Sequence, residues 1–259
     1  MTRRIADFRR IICLVLVAGS LLLPSLVSAA PPLRVAISPD YEPLAFKKDG
    51  EIAGIEVDNA QAVANVLGRR LKLIEMPFDE FIPSLDIGKV DVVMSGYSVT
   101  AERAEKVDYT RPFMEVGQMV IVRTDDVVRF SHPSALRASG VRIAVEPGTT
   151  GESYARTHFP NALIQHFETP NDAFAALRFK HTDAYIHDAP TSWLLANNRE
   201  YQDLFSLYRP LTTESLAWAV KKGNRILQGQ INAALEELQR NGHLQAIKNS
   251  WIPVTVEVR

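Results

Sequence analysis

An apolar strand gives way to small, hydroxyl-bearing residues in Asp91-Val92-Val93-Met94-Ser95-Gly96-Tyr97-Ser98-Val99-Thr100-Ala101-Glu102-Arg103. A strand ending in Ser-Gly-x-Ser presents backbone N–H groups and a hydroxyl at its carboxyl end, which is where open α/β sheets bind ligands. Thr100 has the chemistry of a helix N-cap, so Ala101, Glu102 and Arg103 fall in a first helical turn. Arginine is unusual there because the macrodipole is already positive at that end. Its planar fork suits an anion, and a ligand carboxylate would accept two parallel hydrogen bonds from it. Pairing with Glu102 or Asp108 on the surface, at about 0–1 kcal/mol, is the other role open to it.

Other residues stand where strands run out into loops. Gly148-Thr149-Thr150 follows one predicted strand but lacks the lysine of a phosphate-binding loop. His187 and Asp188 end another; Asp188 could simply cap the helix opening at Pro190, and His187 reads as a structural or rim histidine. Tyr41 and Phe78 lie in turns beside strand ends, and core packing is the alternative use for each. The histidines are scattered and the one cysteine is Cys13, so no metal or other cofactor is expected.

The elements that must position these residues begin after a leader. Arg3, Arg4, Arg9 and Arg10, the apolar run Ile11 to Leu23, and Val27-Ser28-Ala29 have the pattern of a secretory signal peptide cleaved near Ala29. Without it the chain has no cysteine, is modestly acidic and carries no basic patch for nucleic acid, as suits a bacterial periplasm. Strands are expected at Leu33 to Ser38, Leu71 to Glu75 and Val90 to Met94, alternating with a helix capped at Asp58 and a short helix carrying Phe81, Ile82 and Leu85. A second set follows: strands Val141 to Val145, Ala162 to His166 and Ala184 to Ile186, with helices from Glu152, from Asn171 and from Pro190. Gln118 to Val122 and the region around Leu211 to Glu214 read as strands crossing between the sets, and Ile226 to Leu238 and Leu244 to Trp251 as amphipathic helices. The expected α/β fold has two lobes, 30–121 with 214–259 and 122–213, after a signal peptide at 1–29, with a cleft lined by the loops at the strands' carboxyl ends.

Taken in order, Ser95 to Arg103 followed by Val107-Asp108-Tyr109, then Gly148-Thr149-Thr150, Asp183-Ala184-Tyr185-Ile186-His187-Asp188-Ala189-Pro190 and Ala219 to Asn224, make the chain resemble the periplasmic solute-binding proteins, family 3, the polar amino-acid-binding components of ABC importers. The resemblance implies the type II periplasmic binding protein fold, with two hinge strands, and capture of an amino acid by hinge closure for delivery to a membrane ABC permease by a monomer. It implies that Arg103 pairs with the ligand α-carboxylate, with the Gly96 carbonyl and the Ser98 hydroxyl near the ligand's α-ammonium and carboxylate. Thr150 would donate its backbone N–H to the same carboxylate, and Asp188 would hold the α-ammonium. Tyr41 and Phe78 would sandwich the side chain. Glu146, just before the second-lobe loop, would favour a cationic or polar side chain. Lys180-His181-Thr182 stands in a turn where the family usually has glycine, which implies a longer or altered turn. The alternative on this fold is a cyclohexadienyl (prephenate or arogenate) dehydratase, for which Glu146, Glu168 or His187 would be the candidate general acid.

Overall fold

The computed structural model of the chain describes residues 30–252. The predicted leader therefore lies outside the described residues, as does the segment 253–259. Strand β1 (Leu33–Ile37) leads through β2 (Asp40–Tyr41), β3 (Ala45–Lys48) and β4 (Glu51–Ala53), a small antiparallel sheet, into helix α1 (Ile55–Val66). Next come β5 (Leu71–Glu75), α2 (Phe81–Asp86), β6 (Val92–Val93), α3 (Ala101–Lys106) and β7 (Val107–Tyr109). The chain then crosses through β8 (Met114–Val116) into β9 (Gln118–Arg123), β10 (Arg142–Val145), α4 (Thr150–His158), β11 (Leu163–His166), α5 (Pro170–Arg178), β12 (Ala184–Asp188), α6 (Ala189–Asn197) and β13 (Leu204–Ser206). It returns through β14 (Glu214–Leu216) to β15 (Ala219–Lys221), α7 (Arg225–Arg240) and α8 (His243–Trp251).

Two five-stranded sheets result, in the orders β5-β1-β6-β15-β7 and β11-β10-β12-β9-β13. In each, three parallel strands are followed by antiparallel ones. The side-chain period of two sorts each strand between two cores. Val35, Val92 and Val220 face α1, α7 and α8, while Ala36, Val93 and Ala219 face α2. In the second sheet Val120, Ile143 and Ile186 face α4, while Ile121, Ala144 and Tyr185 face α5. Strands buried on both faces read as mainly apolar runs, interrupted here only by Asp91 and Arg142, which is why Val90 to Met94 and Val141 to Val145 are legible in the sequence.

The crossing differs from the expected one. Strand β9 belongs wholly to the second sheet, paired with β12 and β13, and the two crossing segments are β8 and β14, paired with each other. The chain thus changes sheets near Gly117 rather than at 121/122. A side chain at Gly117 would meet the Thr212 carbonyl at 2.2 Å, so the two crossing segments approach as closely as they do only with glycine there. The apolar run 118–122 carries no mark distinguishing a crossing strand from a central one, which is the reason for the displaced reading.

Helix starts also differ. Thr149 caps α4, accepting from the Glu152 N–H at 3.2 Å, so this helix begins two residues before Glu152. Thr169, not Asn171, caps α5, and α1 starts after Gly54 rather than at Asp58. In the turn before Asp183, Lys180 takes the left-handed conformation at φ 57°, where glycine would be unstrained. Among the described residues, no helix is long and apolar enough to cross a membrane.

Candidate functional site

A cavity of about 710 Å³ opens between the two sheets, lined from the first by Tyr41, Phe78, Gly96, Ser98 and Arg103 and from the second by Gln118, Glu146, Thr150, His187 and Asp188. All seven residues singled out as ligand contacts line this one space.

Arg103 is placed by the predicted cap: Thr100 Oγ1 accepts from its N–H at 3.1 Å. Its guanidinium donates to the carbonyl of Ser98 and, across the cleft, to that of Gly148, each at 2.9 Å. It lies over the rings of Tyr97 and Phe78, at 4.3 and 5.2 Å from their centroids. The surface pairing is not made: Glu102 pairs with Lys106, and Asp108 faces Lys222 and Arg225. Among the described residues no carboxylate lies within ion-pair distance of Arg103, and its fork is supported by carbonyl dipoles and aromatic faces.

Asp188 ends β12, and although it occupies the N-cap of α6 its side chain makes no cap bond. The carboxylate instead accepts from the Tyr41 hydroxyl, across the cleft, at 3.0 Å and from Gln118 Nε2. Burial, with Glu214 adding to it, raises the Asp188 carboxyl to about 6 although His187 and the two donors oppose the shift. Gln118 also donates to Thr150 Oγ1 at 3.0 Å, so one amide fixes both the acid and the start of α4. Thr150 is the first residue of α4, and helix-start N–H groups are free to meet an anion.

Behind Asp188 lies a second buried cluster. Tyr185 donates to Glu146, His187 Nε2 lies 3.4 Å from the same carboxylate oxygen, and Thr191 Oγ1 is 2.7 Å from His187 Nδ1. Burial alone would lower the His187 imidazole, but the charge and hydrogen bond of Glu146, with Asp188, outweigh it and raise the pKa. The ring stands edge-on to Tyr41 at 4.6 Å. Phe78 packs on Phe81 and Tyr97 while facing the cavity, so core packing and cavity lining are both true of it.

Two buried residues escaped the sequence reading. Gln118 carries the signal of a lone amide opening an otherwise apolar strand. Glu56, fully buried in α1, accepts from the Gly96 N–H at 2.8 Å and the Trp218 indole at 2.9 Å; in the sequence it looks like any acid in a helix's first turn. Asp183, part of the motif around Asp188, serves the fold by holding Arg142 at 2.9 Å. Among the described residues no group of three or more His, Cys, Asp or Glu is arranged to hold a metal.

Residues 33–254 match the family described as bacterial extracellular solute-binding proteins, family 3. ABC transporter arginine-binding protein 1 of Escherichia coli K12 is 28% identical over 230 residues, covering 87% of this chain and 93% of that protein. The crystal structure of the ancestral amino acid-binding protein AncCDT-1, a precursor of cyclohexadienyl dehydratase, superposes with a TM-score of 0.80 at 32% identity, covering 85% of this chain and 95% of that one. A binding component of an ABC transporter from Wolinella succinogenes, solved with lysine, gives 0.82 at 28% identity, covering 86% and 97%. The folds of these structures are type II, as expected. The relatives are transport binding proteins rather than enzymes, and the one linked to a dehydratase is a binding-protein precursor, so the dehydratase alternative is not favoured.

Proposed function

The chain belongs to the bacterial extracellular solute-binding proteins, family 3, and from that premise we propose that it captures an amino acid with a cationic side chain between its two lobes and delivers it to an ABC permease. One observation carries the reading: Arg103 and the buried Asp188, contributed by different sheets, face a single cavity, and among the described residues neither a carboxylate lies within ion-pair distance of the first nor a lysine or arginine within ion-pair distance of the second. A zwitterion satisfies both. Its carboxylate takes the Arg103 fork, the Ser98 hydroxyl and the Thr150 N–H, and its ammonium takes Asp188 and the Gly96 carbonyl. Tyr41 and Phe78 then bracket the side chain.

The preference for a cation is supported by the lining. Asp40, Glu75, Asp79, Glu146, Glu168 and Asp188 are carboxylates, and Arg103 is the only lysine or arginine among the lining residues. Relatives that bind arginine and lysine agree with it. Closure about β8 and β14 buries the ligand's charges, and the domains are 30–117 with 214–252 against 118–213. The leader 1–29 carries the chain to the periplasm, where it acts as a monomer without cofactor.

Calorimetry of the secreted protein against arginine, lysine, histidine, glutamine and glutamate tests this. Micromolar or tighter binding, about −8 kcal/mol, is expected for arginine or lysine. Tighter binding of glutamate would overturn the charge preference, and no heat from any amino acid would overturn the reading itself.

A further inference from the structure

We propose that Glu56, which lies outside the cavity lining, is a positioning residue that fixes the ligand-facing loop Ser95–Ser98 and ties it to the root of the hinge, an inference that rests on the amino-acid-binding reading. Its side chain is wholly enclosed. One carboxylate oxygen accepts the Gly96 N–H at 2.8 Å and the other the indole N–H of Trp218 at 2.9 Å. The buried Asn59 side chain lies one turn along α1 and favours the charged form of the carboxylate.

On the loop side, Gly96 lines the cavity at φ 62°, and a side chain there would strike the Tyr41 ring at 2.8 Å. With its N–H drawn inward to Glu56, that residue has one orientation. On the hinge side, Trp218 follows β14, accepts the Thr110 N–H on its carbonyl, donates its own N–H to the Thr110 hydroxyl, and stacks on Phe113, the residue before β8, at 5.2 Å between centroids. The two oxygens of one carboxylate therefore hold the ligand loop and the roots of both crossing strands.

The donor set suits an anion. Gly96 and Trp218 can only donate here, so a proton on either oxygen would set hydrogen against hydrogen. Among the described residues, the groups that act on Glu56 are the Gly96 amide, Trp218 and Asn59, none of them charged. Burial raises the carboxyl to about 7 while those bonds oppose the shift, so the anion persists only because the donors hold it.

The near-isosteric E56Q offers one acceptor oxygen to two N–H donors. Calorimetry with the amino acid that binds wild type should show at least about tenfold weaker binding by folded E56Q. Wild-type affinity should fall as pH drops through about 7, a component absent from E56Q. In the ligand-free proteins, NMR should show the Gly96 amide and Trp218 indole protons both displaced in E56Q. Unchanged affinity with unchanged resonances overturns the proposal, as does a loss of binding that only tracks the unfolded fraction. Should wild type bind no amino acid, the functional reading falls, and the two resonances alone decide the link. Should E56Q fail to fold, W218F removes one donor, and an unmoved Gly96 amide in it overturns the link.

Discussion

The loops that follow equivalent strands of the two sheets differ in which of them supply the rings and the cation. After β1 comes Tyr41 and after its counterpart β10 come Glu146 and Thr150; after β5 comes Phe78 and after β11 Glu168; after β6 come Gly96, Ser98 and Arg103, and at the end of β12 stands Asp188. Carboxylates line both sides, Asp40, Glu75 and Asp79 from the first lobe and Glu146, Glu168 and Asp188 from the second, but the tyrosine and phenylalanine faces and the guanidinium come from the first lobe alone. Their support differs in the same sense. Arg103 is half-exposed and rests on carbonyls and rings, whereas Asp188 is buried and held by neutral donors. A guanidinium tolerates soft, partly hydrated surroundings, but a carboxylate removed from water must have N–H or O–H donors. Common topology places the loops, and this asymmetry gives the cleft its polarity.

Removing the cation is the sharpest way to break the comparison. R103A leaves the ligand carboxylate unpaired, and calorimetry should show a loss of about 3–5 kcal/mol with an unchanged circular dichroism spectrum. Binding unchanged in R103A would remove the first lobe's half of the account.

D188N tests the other half, with about 2–4 kcal/mol of affinity lost, and it has a signature in pH. The Asp188 carboxyl ionises near pH 6 in the folded chain and near pH 4 when unfolded, so between those values the folded state holds a proton that the unfolded one has released. Stability of the ligand-free wild type therefore contains a contribution that is lost as pH rises through that window. D188N lacks it, and above pH 6 the ligand-free variant should be the more stable by about 1–3 kcal/mol in thermal melts. Ligand affinity runs the opposite way, rising over the same window as the anion forms. A D188N protein less stable than wild type at pH 8 would show that the acid is structural.

Smaller changes sharpen the contrast. F78A removes one ring beside the Arg103 guanidinium and should weaken binding by about 1–2 kcal/mol, roughly 5–30-fold, with Y97F near neutral because the second ring remains. Y41F deletes the cross-cleft donor to Asp188, a neutral-to-charged hydrogen bond of about 1.5 kcal/mol. Small-angle scattering should then show a more open ligand-free protein, with affinity changed less than in F78A.

Much of this arrangement is written in the chain order itself. Strands buried on both faces and the Thr100 cap follow from local pattern, because propensity and capping depend on neighbours a few residues away. The same local chemistry placed Arg103 in a first turn and Asp188 at a strand end. Only the tertiary structure decided between the uses left open to them: Arg103 turns from Glu102 to two carbonyls, and Asp188 turns from its own helix to Tyr41 and Gln118. Those partners lie up to 147 positions apart in sequence. The partners of Gln118 and Glu56 were illegible for the same reason. A buried polar side chain is defined by the donors or acceptors that packing brings to it, and those come from strands and helices distant in the chain.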